Sequence, residues 1–190
     1  MKKAEVIKHL ARLPGFKKVG MFYIGLCNND IISGYCLDAP PQNIYIWRFI
    51  LPTFDNIEFF HLTLGKRVLS VTHSRFWDGD DSIDIGQLIL KDWSEFSKIK
   101  DRAGLLSYID TEQLNSAYAL WVRYITYIMN REFDRAEEIH NIPEINRMLL
   151  DFQFVSKNYT LLSKEKAESG WEGCVKLLDI WLKKMREKFC

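Results

Sequence analysis

The stretch from Ile44 to Phe76, IYIWRFILPTFDNIEFFHLTLGKRVLSVTHSRF, decides the predicted fold. It is dense in β-branched and aromatic residues, which are typical of strands. Turn-forming residues interrupt it twice, once after Leu51 and once after Leu64. The stretch therefore predicts three consecutive strands, at Ile44–Leu51, Ile57–Leu64 and Arg67–Phe76.

The second interruption predicts a tight hairpin. Gly65 and Lys66 fit a two-residue type II′ turn, in which glycine takes the positive φ. Counting outward from this turn, residue by residue, places Glu58 opposite His73 on the partner strand. The turn therefore predicts a carboxylate and an imidazole side by side near the end of the hairpin.

The rest of the chain predicts an α+β fold. Before the opening stretch, the pattern indicates a helix at Lys3–Leu13 and strands at Gly20–Cys27 and Ile31–Leu37. No helical segment separates the strands, so an antiparallel sheet of about five strands is the simplest arrangement. Residues 1–76 would hold this helix and sheet, and residues 77–190 an α-helical half packed on it to form one compact domain. Beyond residue 84 the apolar period becomes helical, and helices are predicted at 85–99, 103–109, 112–129, 132–140, 142–162 and 164–189, with Thr111 as the N-cap of the third.

Composition excludes several classes of protein. The chain is 47% hydrophobic and 14% aromatic, which excludes a disordered protein. No apolar run approaches the roughly 18 residues of a membrane span. The first residues, MKKAEVIKHLARLPGF, indicate an amphipathic helix rather than a signal peptide. We therefore expect a cytoplasmic protein whose Cys27, Cys36, Cys174 and Cys190 are free thiols.

The charge pattern argues against a general attraction to nucleic acid. The formal net charge is +1. Residues 1–75 hold ten Lys/Arg against five Asp/Glu, a net charge of +5, and the remainder holds sixteen against twenty, a net charge of −4. This asymmetry could help the two halves dock or could mark a surface for a partner, and docking is the simpler explanation.

The segment Phe60-His61-Leu62-Thr63-Leu64 resembles half of the signature of the two-histidine phosphoesterases. In that family two such strands place two histidines on one concave surface, one as general base and the other as general acid. The resemblance implies catalytic roles for His61 and Thr63, with the hydroxyl holding phosphate. A second motif at the family's spacing is missing, since His73-Ser74-Arg75 lies too near and His140 has no hydroxyl partner two residues on. The structural alternative is a half-buried His61 bonded to a hydroxyl on the neighbouring strand, such as that of Ser70.

Two other groups of ionisable residues have a structural as well as a functional interpretation. Glu58 and His73 could form a catalytic dyad, or could tie down the end of the hairpin. The loop Asp78-Gly79-Asp80-Asp81-Ser82-Ile83-Asp84 could bind a cation, but its spacing does not match a calcium loop. Turn and cap roles explain these aspartates better, so no metal site is predicted.

A basic and aromatic set lies on the predicted sheet. The candidate binding residues are Trp47, Arg48, Arg67 and Arg75, accompanied by Tyr45 and Phe49. Such residues could stack on nucleic-acid bases. Alternatively, the Tyr45/Trp47/Phe49 and Ile44/Ile46/Ile50 faces pack on the N-terminal helix and on the helical layer.

The sequence as a whole favours a non-catalytic protein-interaction module of the immunity, inhibitor or adaptor type, with a protein as its partner. It contains no glycine-rich phosphate loop, G-x-S-x-G, HExxH or dinucleotide fingerprint, and no cofactor is predicted. Its many Trp and Tyr residues are types that anchor interfaces. The alternatives are a phosphoesterase or nuclease-like enzyme that uses His61 and Thr63, and a nucleic-acid binder that uses the basic N-terminal half.

Overall fold

The structure is a computed structural model that describes residues 3–40, 44–69 and 85–190. It has a short N-terminal helix, a five-stranded antiparallel sheet and a helical C-terminal half, which confirms the predicted α+β class. The elements are α1 Lys3–Leu10, β1 Lys17–Val19, β2 Phe22–Cys27, β3 Ile31–Asp38, β4 Tyr45–Pro52, β5 Lys66–Arg67, α2 Ile85–Phe96, α3 Arg102–Thr111, α4 Ala117–Met129, α5 Phe133–His140, α6 Pro143–Asp151 and α7 Ser156–Phe189.

The chain divides into two compact units. The sheet unit comprises Met1–Cys27, Ile32–Leu51 and Phe60–Lys100. The helical unit comprises Asp101–Cys190 together with two short segments from earlier in the chain, Asn28–Ile31 and Pro52–Phe59. The boundary predicted at residues 76 and 77 lies outside the described residues.

The sheet unit is a meander whose strands follow chain order, from β1 to β5. Asn28 forms the predicted turn between β2 and β3, since its side-chain oxygen accepts from the backbone N–H groups of Asp30 and Ile31, both at 2.8 Å. Helices α1 and α2 pack on one face of the sheet. The buried residues of that layer are Val6, Leu10, Leu13, Tyr23, Tyr35, Leu37, Ile44, Ile46, Val68 and Ile89.

The predicted hairpin around Gly65 is wrong. Residues 57–64 form no strand, and Lys66 lies in β5, where it pairs with Arg48 of β4. Gly65 is needed for a close approach rather than for a positive φ, because a Cβ there would lie 2.8 Å from the Arg48 carbonyl oxygen. The strand that was to place Glu58 opposite a histidine therefore does not exist, and His73 lies outside the described residues.

Helix α4 is the centre of the helical unit, as its two apolar faces predicted. It packs against α3, α5, α6 and α7. Its N-cap is Ser116, whose hydroxyl accepts from the Ala119 N–H at 3.2 Å. The predicted cap, Thr111, is instead the last residue of α3. Predicted helix 142–162 is divided between α6 and α7, and α7 is itself interrupted at Gly170, where φ is +67°.

The cysteines only partly match the expectation of free thiols. Cys36 and Cys174 are free and buried, and burial raises the pKa of their thiols to about 12 and about 11. Cys27 and Cys190 are disulfide-bonded, so the expectation is wrong for these two.

Among the described helices, none is both long enough and apolar enough to cross a membrane.

Candidate functional site

The strongest candidate site lies on β4 and β5, on the sheet face opposite α1 and α2. Trp47 and Arg67 are directly paired across these strands. Tyr45 precedes Trp47 by two residues, so strand alternation places it on the same face. The guanidinium carbon of Arg67 lies 4.5 Å from the centroid of the Tyr45 ring and 4.7 Å from that of Trp47. One cation therefore contacts two aromatic faces.

This group of residues is accessible to a partner. Arg67 is exposed, and Tyr45 and Trp47 are each partly exposed. Burial alternates along the chain after Arg67: Val68 is 3% exposed and belongs to the core, whereas Leu69 is 43% exposed. Pairing with β4 continues one residue beyond β5, since the Val68 N–H donates to the Ile46 carbonyl oxygen at 2.8 Å, so alternation places Leu69 on the side of Arg67. We call Tyr45, Trp47, Arg67 and Leu69 the Arg67 patch.

The charge of Arg67 is not neutralised by its described neighbours. Its side chain contacts the two rings, and it makes no ion pair or hydrogen bond to any other residue in ranges 3–40, 44–69 and 85–190. An arginine side chain keeps its positive charge at any physiological pH. Within the described part of the chain, no acceptor bonds the N–H groups of Arg67.

Arg48, predicted to bind beside Trp47, points to the opposite face of the sheet. Its Nε lies 3.0 Å and 2.9 Å from the two carboxylate oxygens of Asp92 on α2, and its Nη2 also bonds that group. The Tyr35 hydroxyl donates to the same carboxylate at 2.7 Å. Burial, followed by the nearby negative charge of Asp92, raises the pKa of Tyr35 far above its ordinary value. Arg48 therefore joins β4 to α2. Arg75, the fourth predicted binding residue, lies outside the described residues.

His61 and Thr63 are brought together, but in a loop rather than on a strand. The Thr63 hydroxyl lies 2.9 Å from the Nδ1 atom of His61. His61 is only 9% exposed, and burial lowers its pKa to about 4. Such a ring is neutral at physiological pH and has a pKa far from the value that suits general acid–base catalysis. His61 is thus covered and bonded to a hydroxyl, as the structural alternative expected, but that hydroxyl is Thr63, two residues along the same loop, and not one on a neighbouring strand. Ser70 lies outside the described residues.

We expect His61 to remain neutral in the folded protein from pH 8 to about pH 5. Its ring chemical shifts, followed by NMR across that range, should stay nearly constant, because the buried site disfavours the imidazolium form. The same histidine in urea-unfolded protein should titrate near its ordinary pKa of about 6.5. A folded-state midpoint near 6.5 or above would show that His61 is solvated and would revive its catalytic interpretation.

Glu58, the remaining predicted catalytic residue, lies on the surface of the helical unit. Its carboxylate is 3.6 Å from the Lys157 ammonium, and both side chains are 73% exposed. The backbone carbonyl of Glu58 accepts from Lys188 on α7. These contacts tie a loop to α7, and an ion pair this exposed contributes little to stability.

Sequence patterns did not indicate the buried carboxylate of Asp55, which lies in the helical unit. This side chain is fully buried and accepts from the Tyr118 hydroxyl at 2.9 Å and from the Asn158 side-chain amide at 3.0 Å. Burial raises its pKa to about 6, against the opposing effect of these hydrogen bonds. The Trp121 indole N–H also lowers the pKa of Asp55, although it forms no hydrogen bond with the carboxylate. The Asp55 side chain is not exposed to solvent. Its role is therefore to anchor Pro52–Phe59 to the helices.

The described residues contain no cluster of three or more His, Cys, Asp or Glu side chains that could hold a metal ion. The Asp78–Asp84 loop lies outside them.

Fold and site together define an α+β protein that carries an exposed patch of aromatic residues and one arginine on its sheet. Comparison of the chain with protein-family models, with curated proteins and with solved structures found no match.

Proposed function

We propose that this protein is a non-catalytic interaction module, of the immunity, inhibitor or adaptor kind, that binds a partner protein through the Arg67 patch. The observation that carries the proposal is the exposed contact of Tyr45, Trp47 and Arg67 on paired strands. Trp, Tyr and Arg are the residue types most enriched among those that dominate binding energy at protein interfaces.

The Arg67 patch is organised in advance of binding. A free arginine side chain loses roughly 2 kcal/mol of rotamer entropy when it is fixed in one place. Contacts with two rings already restrict Arg67, and both rings stand on a regular strand of the sheet. A partner that binds this patch would therefore cause little further loss of side-chain conformational entropy.

The other candidate chemistry in the described residues supports an interaction role more than a catalytic one. His61 is covered and neutral, and its ring nitrogen is bonded to Thr63. Arg48 is engaged with a carboxylate within the sheet unit. With Arg48 so engaged, the patch presents one arginine, whereas a nucleic-acid groove combines its aromatic residues with several cations.

We expect replacement of Arg67 with alanine to weaken partner binding about tenfold or more, because a central arginine would lose its contacts across the interface. The partner would first be captured from native cell extract by the tagged wild-type protein. Its affinity for wild-type protein and for Arg67→Ala would then be measured by calorimetry. Thermal unfolding of the variant should remain close to that of wild type, since Arg67 is exposed.

A matched control is Lys18→Ala, because Lys18 also lies over an aromatic ring of the same sheet, 5.7 Å from the Tyr23 centroid, but outside the patch. Binding should be unchanged in this variant. Equal capture of the partner by wild type, Arg67→Ala and Lys18→Ala would refute the proposal. Capture that disappears after nuclease treatment would point instead to nucleic acid.

A further inference from the structure

We infer that the Arg67 patch recognises a carboxylate of the partner, from an aspartate or glutamate side chain flanked by an apolar residue. This inference rests on the proposed function and names the chemistry of the partner. It follows from the contact of the guanidinium with two rings, from the single cation that the described residues place in the patch, and from the position of Leu69.

The guanidinium carbon of Arg67 lies over the faces of both aromatic rings. A guanidinium attracts aromatic rings through its faces, and its five N–H donors point outward in its plane. Tyr45 and Trp47 lie 4.5 Å and 4.7 Å from the guanidinium carbon, and no acceptor among the described residues bonds its N–H groups, so these donors are the part of Arg67 offered to a ligand. The planar N–H edge that they form matches the two oxygens of a carboxylate in a bidentate pair.

A carboxylate suits this edge better than a phosphate does. Phosphate carries more charge and is usually held by several cations or by a cluster of backbone N–H groups. The residue preceding Arg67 is Lys66, which strand alternation directs to the opposite face of the sheet. The other members of the patch are aromatic or aliphatic. A single positive charge among apolar groups balances one carboxylate and leaves a phosphate dianion only partly neutralised.

Leu69 extends the patch on the same side of the strand. Its 43% exposure leaves an apolar surface beside the guanidinium. Burying that surface favours an apolar neighbour on the partner. It also lowers the local dielectric constant, which strengthens the attraction between the two charges. The expected ligand is therefore an acidic residue next to leucine, isoleucine, valine or an aromatic residue.

The test uses random peptides displayed on phage and selected on the intact wild-type protein, with counter-selection on Arg67→Ala. We expect the recovered peptides to share an aspartate or glutamate adjacent to an apolar residue. One recovered peptide would be synthesised with its acidic residue and with the matching amide, aspartate to asparagine or glutamate to glutamine. The amide change should weaken binding to wild type about tenfold or more and should leave binding to Arg67→Ala unchanged, because the two groups form one interaction.

The Arg67→Lys variant distinguishes the contribution of the planar guanidinium from that of its positive charge alone. It should lose most of the affinity, since an ammonium keeps the charge but cannot form the planar bidentate pair. Millimolar inorganic phosphate should not displace the peptide. Full affinity in Arg67→Lys, or displacement by phosphate, would overturn the carboxylate inference.

The outcomes keep this inference separate from the proposed function. Recovered peptides that depend on Arg67 but contain no acidic residue would overturn the inference and leave the Arg67 patch as a protein-binding surface. Failure to recover any Arg67-dependent peptide would overturn the inference, while the proposed function would still be decided by the captured partner. A captured partner whose affinity is unchanged in Arg67→Ala would overturn both.

Discussion

Replacing Asp55 with alanine is expected to lower the free energy of unfolding by about 3 kcal/mol. The carboxylate is fully buried, and it is the acceptor for the Tyr118 hydroxyl and the Asn158 amide. Alanine would leave both donors buried without this acceptor, and each such loss costs about 1–3 kcal/mol. Urea-induced unfolding followed by circular dichroism would measure the change.

Asp179→Ala is the matched control, since it removes an aspartate from an exposed position of α7 and should change stability little. Asp55→Asn keeps the shape of the side chain and one acceptor oxygen, so its loss should lie between those of the other two variants. A loss below about 1 kcal/mol in Asp55→Ala would mean that Pro52–Phe59 is not anchored by this carboxylate.

The dependence of stability on pH provides a second readout for Asp55. The folded protein holds the Asp55 proton up to about pH 6, whereas the ordinary pKa of the group is 3.8. Between these values the folded state binds more protons than the unfolded state, so the free energy of unfolding falls as pH rises through this window. The Asp55→Asn variant lacks this contribution. Wild type should therefore lose stability relative to Asp55→Asn as pH increases from about 4 to about 6, and a constant difference would contradict the raised pKa.

Substitution of Gly34 by alanine is expected to be at least as damaging, with a loss of about 4 kcal/mol. A Cβ on Gly34 would lie 2.0 Å from the backbone carbonyl oxygen of Tyr23 on the neighbouring strand and 3.1 Å from the Gly25 nitrogen. These are main-chain atoms, so no side-chain rotation relieves the overlap, and β2 and β3 would have to separate. The pairing is already irregular here, with a shift in register between Ile24 and Leu26.

The comparison for Gly34 is Ser33→Ala, one residue earlier in β3. Ser33 is 1% exposed, and its hydroxyl has no hydrogen-bond partner in the described part of the chain. Removing a buried, unpaired hydroxyl should leave stability unchanged or slightly increased. Thermal unfolding of both variants would show whether close backbone approach, rather than any small change in β3, is what the sheet cannot tolerate.

Sequence patterns located most of the elements because each depends on neighbours close along the chain. Alternation of side chains predicted the strands now seen as β2, β3 and β4, and the Asn28 turn joined two of them as expected. The 3.6-residue period predicted α4 and its burial. The prediction failed at residues 57–64, where the apolar residues resembled a strand but belong to a loop. It also failed at Gly65, where glycine is required by the close approach of the Arg48 backbone and not by a positive φ.

The candidate site was only partly predictable, because its contacts join residues that are far apart in the chain. Trp47 and Arg67 were selected from their residue types, but their contact depends on β4 pairing with β5, and the sequence indicated a different partner for β5. Arg48 was placed in the same group, although adjacent residues of a strand point to opposite faces. The Asp55 network had no local signal, since its donors lie 63 and 103 residues away.

The sequence by itself determined the α+β class, the positions of β2, β3, β4 and most helices, and the residue types available for binding, because these follow from local periodicity and composition. Only the tertiary structure decided that Arg67 lies against Tyr45 and Trp47, that His61 is covered, and that Asp55 is anchored by distant helices. Those outcomes depend on contacts between residues far apart in the chain and on the burial that such contacts create. Local sequence patterns contain neither these contacts nor this burial.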